Sequence, residues 1–152
     1  MTNGRTLTVN RKARFQYEIL ESVEAGLVLA GTEIKAIRQG GANIGEAFAR
    51  PEDGELWLLN AHIAPYAASG PYSHEPTRPR KLLLHKDQIT WLTREVAEKG
   101  RTIVPLRLYL KRHRAKVELG LARGRQRHDK RRAIIERDRL REAQDAIRRL
   151  HP

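Results

Sequence analysis

Up to Leu121 the apolar residues come in short bursts separated by glycine, proline and charge; beyond it they recur only at helical spacing inside an arginine-rich stretch. Between Phe15 and Ala30, Tyr17, Ile19, Val23, Leu27 and Leu29 are interrupted by Glu24-Ala25-Gly26, which predicts a hairpin. In GTEIKAIRQGG, Thr32 or Gly31 can cap a short helix with Ile34 and Ile37 on one face, Glu33 in the first turn and Gly40-Gly41 as the stop. This spacing leaves Glu33, Lys35 and Arg38 on or near the exposed side. Ala47-Phe48-Ala49, the turn Pro51-Glu52-Asp53-Gly54 and Leu56 to Leu59 read as strand, turn and strand.

Ala61 to Pro79 carries Pro65, Pro71, Pro76, Pro79 and Gly70, so neither a continuous helix nor a central strand fits there. A loop of this length inside a small domain is expected to contact something. Lys81-Leu82-Leu83-Leu84 is a short buried run, and His85 to Lys99 predicts a helix with Ile89, Leu92 and Val96 inward, Trp91 at its flank and Gly100 at its end. Ile103 to Leu110 and Val117 to Leu121 predict two strands around the basic turn Lys111-Arg112-His113-Arg114. Met1 to Arg14 is polar, basic and without period, as expected of a frayed terminus in preference to a specific contact arm.

Short strands with inserted helices place the chain in the mainly β class. The expected fold is a small antiparallel oligonucleotide-binding-type barrel with short inserted helices and a basic C-terminal tail. Three segments follow: a basic N-terminal segment, 1–14, a barrel, 15–121, and the tail, 122–152.

Charge sharpens this picture. The chain has 152 residues and a net charge of +12. Residues 122–152 hold eleven Lys/Arg against five Asp/Glu, and 1–121 hold nineteen against thirteen, so each part contributes +6. The tail's Ile134, Ile135, Leu140, Ile147 and Leu150 bury too little surface to offset its ordering entropy. It is expected to be disordered alone and to fold on a polyanion. Arginine outnumbers lysine in the tail, and guanidinium groups pair phosphate through two parallel hydrogen bonds, which favours nucleic acid over a membrane surface or an acidic protein.

Zero cysteines exclude disulfides, thiolate metal sites and thiol catalysis. No signal-like or membrane-spanning run is present, so a soluble cytoplasmic protein is expected. His62, His74, His85, His113, His128 and His151 fall in separate segments without zinc-site spacing; no metal and no cofactor is expected. Glu52-Asp53-Glu55 flank a turn, and no phosphate loop or serine elbow occurs, so no enzyme is expected. Glu33 either braces an arginine or the helix dipole, or accepts from a base amino group. The tryptophans read as core, Tyr66 and Tyr72 as core or as base-stacking residues, and His128 as a base-stacking or solvated residue.

The blocks NRKARFQYEI (Asn10 to Ile19), EAGLVLAGTEIKAIRQGGANI (Glu24 to Ile44), RKLLLHKDQI (Arg80 to Ile89), VPLRLYLK (Val104 to Lys111), KVELGLARGRQRHDKR (Lys116 to Arg131) and Ile134-Ile135-Glu136-Arg137-Asp138 together resemble the small protein B, or SsrA-binding, family of bacterial trans-translation. Phe15 stands where that family usually has histidine, Ile34 replaces valine, and Arg123 and Arg125 stand where lysine is frequent.

The resemblance implies a non-enzymatic protein that binds the tRNA-like domain of transfer-messenger RNA and escorts it to stalled ribosomes. Elongation factor Tu is an indirect partner through the charged RNA. The tail would occupy the empty mRNA channel beyond the decoding centre and become helical there. By position, RNA-binding residues should include Glu33, Lys35, Asn43, Arg80 and Lys81, and the ribosome-binding tail Gly124, Arg125, His128, Asp129, Lys130 and Arg131. A monomer without membrane contact is expected. The alternative is a general ribosome-associated or single-strand RNA-binding protein; an RNA-cleaving enzyme is a third possibility, for which no acid/base pair is visible.

Overall fold

The longest ladder joins two strands that the sequence places about a hundred residues apart. The computed structural model describes residues 5–124 and 127–150, with side chains for 5–124 and 134–148. In it β2 (Tyr17–Leu27) pairs antiparallel with β9 (Arg114–Gly124) from Tyr17↔Gly124 to Gly26↔Lys116. The expected hairpin at Glu24-Ala25-Gly26 is therefore corrected to one continuous strand. Gly26 reads as a turn signal, but it serves a close approach: a Cβ there would lie 3.2 Å from the Leu83 Cβ of a neighbouring strand.

The other strands are β1 (Arg5–Val9), β3 (Ala42–Asn43), β4 (Phe48–Glu52), β5 (Glu55–Leu59), β6 (His62–Ile63), β7 (Arg80–Leu83) and β8 (Thr102–Lys111). The main sheet runs β1-β8-β4-β5-β7-β2-β9, and β9 also pairs with β8, so the antiparallel pairings return on themselves. β3 and β6 form a separate two-stranded ladder. The helices are α1 (Ala13–Gln16), α2 (Gly31–Arg38), α3 (Lys86–Lys99) and α4 (Arg127–Leu150). The chain is mainly β, with a few helices on an antiparallel sheet.

The N-terminal segment is likewise corrected. Within Met1 to Arg14, Arg5–Val9 is a strand, held on β8 by pairs such as Arg5↔Leu110 and Val9↔Arg107. Its order comes from a partner a hundred residues away, which local composition does not reveal. The buried side chain of Asn10 then fixes the entry to α1, donating to Ile44 O at 3.2 Å and Pro105 O at 2.9 Å.

Two apolar clusters sit on opposite faces of the β8–β9 region. Ile37, Leu56, Leu58, Leu82, Leu92, Ile103, Leu108, Val117 and Leu119 belong to the main core. Val104, Leu106 and Ala122 pack with Ala13 of α1 into the smaller one. Burial on both faces explains why β8 reads as a nearly unbroken apolar run, and a register shift between Pro105 and Arg107 rotates the strand from one arrangement to the next. Of the three leucines in β7 and after it, only Leu82 is fully buried and Leu83 is exposed, so the expected buried run obeys strand alternation instead.

α3 follows expectation. Leu92 is buried with Ile89, Trp91 and Val96 packed against the core, and Gly100 ends the helix at φ 64° in the left-handed conformation. The proline-rich stretch holds only β6 and a 3₁₀ turn at Ala67–Tyr72. Among the described residues no helix is long and apolar enough to cross a membrane.

Candidate nucleic-acid interface

Glu33 is the third residue of α2, where a carboxylate reaches back to the chain entering the helix, and its Oε1 accepts from the Ala30 N–H at 2.8 Å. The expected exposed position of Glu33 is corrected: it has no accessible surface, and neither has Arg80. Their side chains meet. Arg80 Nε donates to Glu33 Oε2 at 2.5 Å, and Arg78 Nη2 donates to Oε1. Of the two sequence readings, a brace for arginine is the one the geometry satisfies.

Arg80 does more than neutralise Glu33. Its Nη1 donates to Ala61 O at 2.7 Å and its Nη2 to Pro76 O at 3.0 Å, the first and sixteenth residues of the proline-rich loop. One guanidinium thereby fixes both ends of that loop to α2. Further ties hold its interior: Ile63 N–H donates to Pro76 O at 2.9 Å, Ala64 N–H to Gly41 O at 2.7 Å and Tyr66 N–H to Ser73 Oγ at 2.8 Å. The His74 ring bridges Thr32 Oγ1 at 3.0 Å and Ile63 O at 2.9 Å.

Burial would push the Glu33 carboxyl up, but hydrogen bonds from Arg78, the Ala30 N–H and Arg80 outweigh it and hold it below the ordinary carboxylate range. Burial also pushes Arg80 down, and Glu33 opposes this. Because the Glu33 pKa is lowered in the folded protein, its ionisation contributes stability above the unfolded value of about 4.3, lost as pH falls through the folded value. The urea-midpoint gap between the parent protein and Glu33→Gln should therefore be widest near neutrality and close progressively below about pH 4. A gap that stays constant to pH 2 would show that the charge is not what Glu33 contributes.

The braced loop and α2 carry an exposed polar surface. Lys35 Nζ sits 5.5 Å from the centroid of the half-buried Tyr66 ring, while Tyr72 at the end of the 3₁₀ turn is 87% exposed. Asn43 is exposed opposite His62 in the β3–β6 ladder, its Oδ1 accepting from the Gly45 N–H at 2.9 Å. Lys81 is not part of this group. Strand alternation turns it away from Arg80, and it pairs with Glu55 at 2.9 Å.

Of the tail residues, exposed Gly124 ends β9 opposite Tyr17. Arg125 lies outside the described residues, and so do the side chains of His128, Asp129, Lys130 and Arg131, whose backbone forms the first turns of α4. Farther along α4, Ile134, Ile135, Leu140 and Ile147 are 45 to 61% exposed, and Arg137 lies over the Phe15 ring of α1 at 4.9 Å from its centroid. Among the described residues there is no group of three or more His, Asp or Glu side chains suited to a metal ion.

The sequence reading overlooked Arg78. Proline at 79 disfavours helix for the residue before it, so Arg78-Pro79-Arg80 is extended and its two guanidinium groups share a face, a signal that period two could have exposed.

The chain has known counterparts. The family described as SmpB protein matches residues 7–149, from β1 through nearly all of α4. The chain belongs to the SmpB family. An SsrA-binding protein of Thermosynechococcus vestitus is 54% identical over 145 residues, 95% of either chain, and one of Carboxydothermus hydrogenoformans is 51% identical over 144 residues, 95% of this chain and 97% of its own. A solved SmpB-family structure, described as "tmRNA-SmpB: a journey to the center of the bacterial ribosome", is 49% identical, covers 84% of this chain and 93% of its own, and superposes with a TM-score of 0.67. The mainly antiparallel architecture is thus that of the SmpB family.

Proposed function

We propose that this chain binds the tRNA-like domain of transfer-messenger RNA and brings it to stalled ribosomes, where the tail occupies the vacant mRNA channel during trans-translation. The observation that carries this reading is identity near one half with SsrA-binding proteins across 95% of the chain, tail included. The returning strand pairings support an oligonucleotide-binding-type barrel for the body. In this reading Lys35 and Asn43 meet the RNA directly. Glu33 and Arg80, being buried, act by holding α2 and the proline-rich loop in one arrangement, and Lys81 contributes from the neighbouring face.

The tail's part is electrostatic and conformational. Gly124, Arg125, His128, Asp129, Lys130 and Arg131 lead it to the ribosome, and the exposed apolar residues of α4 leave the helix to be consolidated by that surface. Elongation factor Tu enters through the charged RNA, and the protein acts as a non-enzymatic cytoplasmic monomer.

Competition binding at physiological salt tests the central claim, because non-specific phosphate contacts are weakened there. A tRNA-like RNA should displace the protein from unstructured RNA of equal length at more than about tenfold lower concentration, a preference of ~1.4 kcal/mol. Equal displacement would instead indicate a general single-strand RNA-binding protein.

A further inference from the structure

The tip of the β8–β9 hairpin is a cationic recess that neither α2 nor the tail accounts for. Lys111, Arg112, Arg114 and Lys116 line a cavity of about 520 Å³ with Glu24 as its acidic member. Glu24 is already engaged: the Tyr109 O–H donates to it, and Lys111 Nζ stands 3.6 Å away. Among the described residues, no carboxylate lies within ion-pair distance of Arg112, Arg114 or Lys116. Arg112 and Arg114 are therefore exposed without a partner of opposite charge, while half-buried Lys116 shares Glu24 with Lys111.

The turn itself is unusual. Arg112 and His113, its two central residues, have φ of 52° and 65°. Hairpins give these left-handed positions to Asn-Gly or Asp-Gly, as the chain does at Asp53-Gly54, where φ is 51° and 77°. Here the same backbone carries two large basic or titratable side chains, and residues held in such conformations cluster at binding sites. The tip is also remote from the point where the tail begins. Lys116 and Gly124 mark opposite ends of the β2–β9 ladder, eight residues apart, or roughly 26 Å.

We propose that this hairpin tip is a second RNA-binding site, which grips the sugar-phosphate backbone through Arg112, Arg114 and Lys116, separately from α2 and from the tail. It rests on the proposed function only in taking RNA as the polyanion. The guanidinium groups match phosphate oxygens in geometry as well as charge, and a recess of this size admits backbone without requiring any base to be read. The phosphates belong either to the tRNA-like RNA or to ribosomal RNA.

The test measures the salt dependence of binding for the full-length protein on two probes, a tRNA-like RNA and vacant small ribosomal subunits. Arg112→Gln/Arg114→Gln should lower the slope of log affinity against log salt by about 1.4 to 1.8, the counterions of two phosphate contacts, on at least one probe. Loss on the RNA alone assigns the tip to the tRNA-like domain, and loss on subunits alone assigns it to ribosomal RNA. Arg112→Lys/Arg114→Lys should keep most of the slope. Unchanged slopes on both probes overturn the proposal. So does a lysine variant that loses as much slope as the glutamine one, because charge would not then be what the RNA meets. Preference for tRNA-like over unstructured RNA, read by titrating the parent protein with unstructured RNA of equal length as well, reports on the proposed function separately.

Discussion

Arg80→Ala is expected to cost about 3–5 kcal/mol of folding stability, the largest effect of any single substitution in the body. The reason is what it leaves behind. Glu33 has no accessible surface, and without Arg80 its Oε2 loses its partner while Ala61 O loses a donor at 2.7 Å. A buried carboxylate stripped of its cation is worse than no ion pair at all, because the desolvation cost remains after the attraction is gone. Arg78, partly exposed, remains on Oε1 and limits the loss. Urea unfolding should show the midpoint of Arg80→Ala far below the parent's, and Glu33→Gln/Arg80→Met should lose less than the sum of its single changes, since neither charge is then stranded. RNA affinity should fall with Arg80→Ala even where the protein is still folded, because both ends of the proline-rich loop are released. An unfolding free energy within about 1 kcal/mol of the parent's would show that the guanidinium fixes nothing.

The same pair explains what the sequence could and could not reveal. α3 was legible because its period, its glycine end and its apolar stripe all lie within fifteen consecutive residues, as was the Asp53-Gly54 turn between β4 and β5. The cationic character of the C-terminal stretch was legible because charge is additive along a chain and needs no fold to be counted, but its start at 122 was not, since β9 runs to Gly124 with Ala122 buried. Glu33 and Arg80 stand 47 residues apart, and nothing in the local spacing of either tells that their side chains meet. Residue by residue, Glu33 reads as a helix acid on or near the exposed side, with an unspecified arginine as one partner it could brace, and Arg80 enters only by resemblance; tertiary packing makes them a buried brace. Gly26 and Arg5–Val9 fail for the same reason, one misread as a turn and the other as fraying, since each is decided by a strand distant in sequence. The family resemblance singled out Glu33 and Arg80 by position, but their burial moves the expected role from contact to support.

Deleting residues 125–152 should abolish tagging of stalled chains in a reconstituted translation system while leaving the dissociation constant for tRNA-like RNA within about threefold, or ~0.7 kcal/mol. Two structural facts set this asymmetry. Among the described residues the apolar side chains of α4 are largely exposed, so removing them uncovers little core, and the Phe15–Arg137 contact with α1 is a cation–ring pair, worth about 0.5–1 kcal/mol where exposed. The deletion also removes ten Lys/Arg against five Asp/Glu, yet the remaining chain stays cationic and keeps α2, the braced loop and the hairpin tip. Binding to vacant small subunits should lose affinity and most of its salt dependence, because an arginine-rich helix releases counterions wherever it meets phosphate. α4 spans about 36 Å at 1.5 Å per residue, enough to reach well along a channel from a body seated at its mouth. If the shortened protein still supports tagging, delivery of the RNA by the body is sufficient and the helix has no part in recognising an empty channel. If it instead loses the tRNA-like RNA, the tail grips that RNA, and the separation of an RNA-holding body from a ribosome-sensing arm fails.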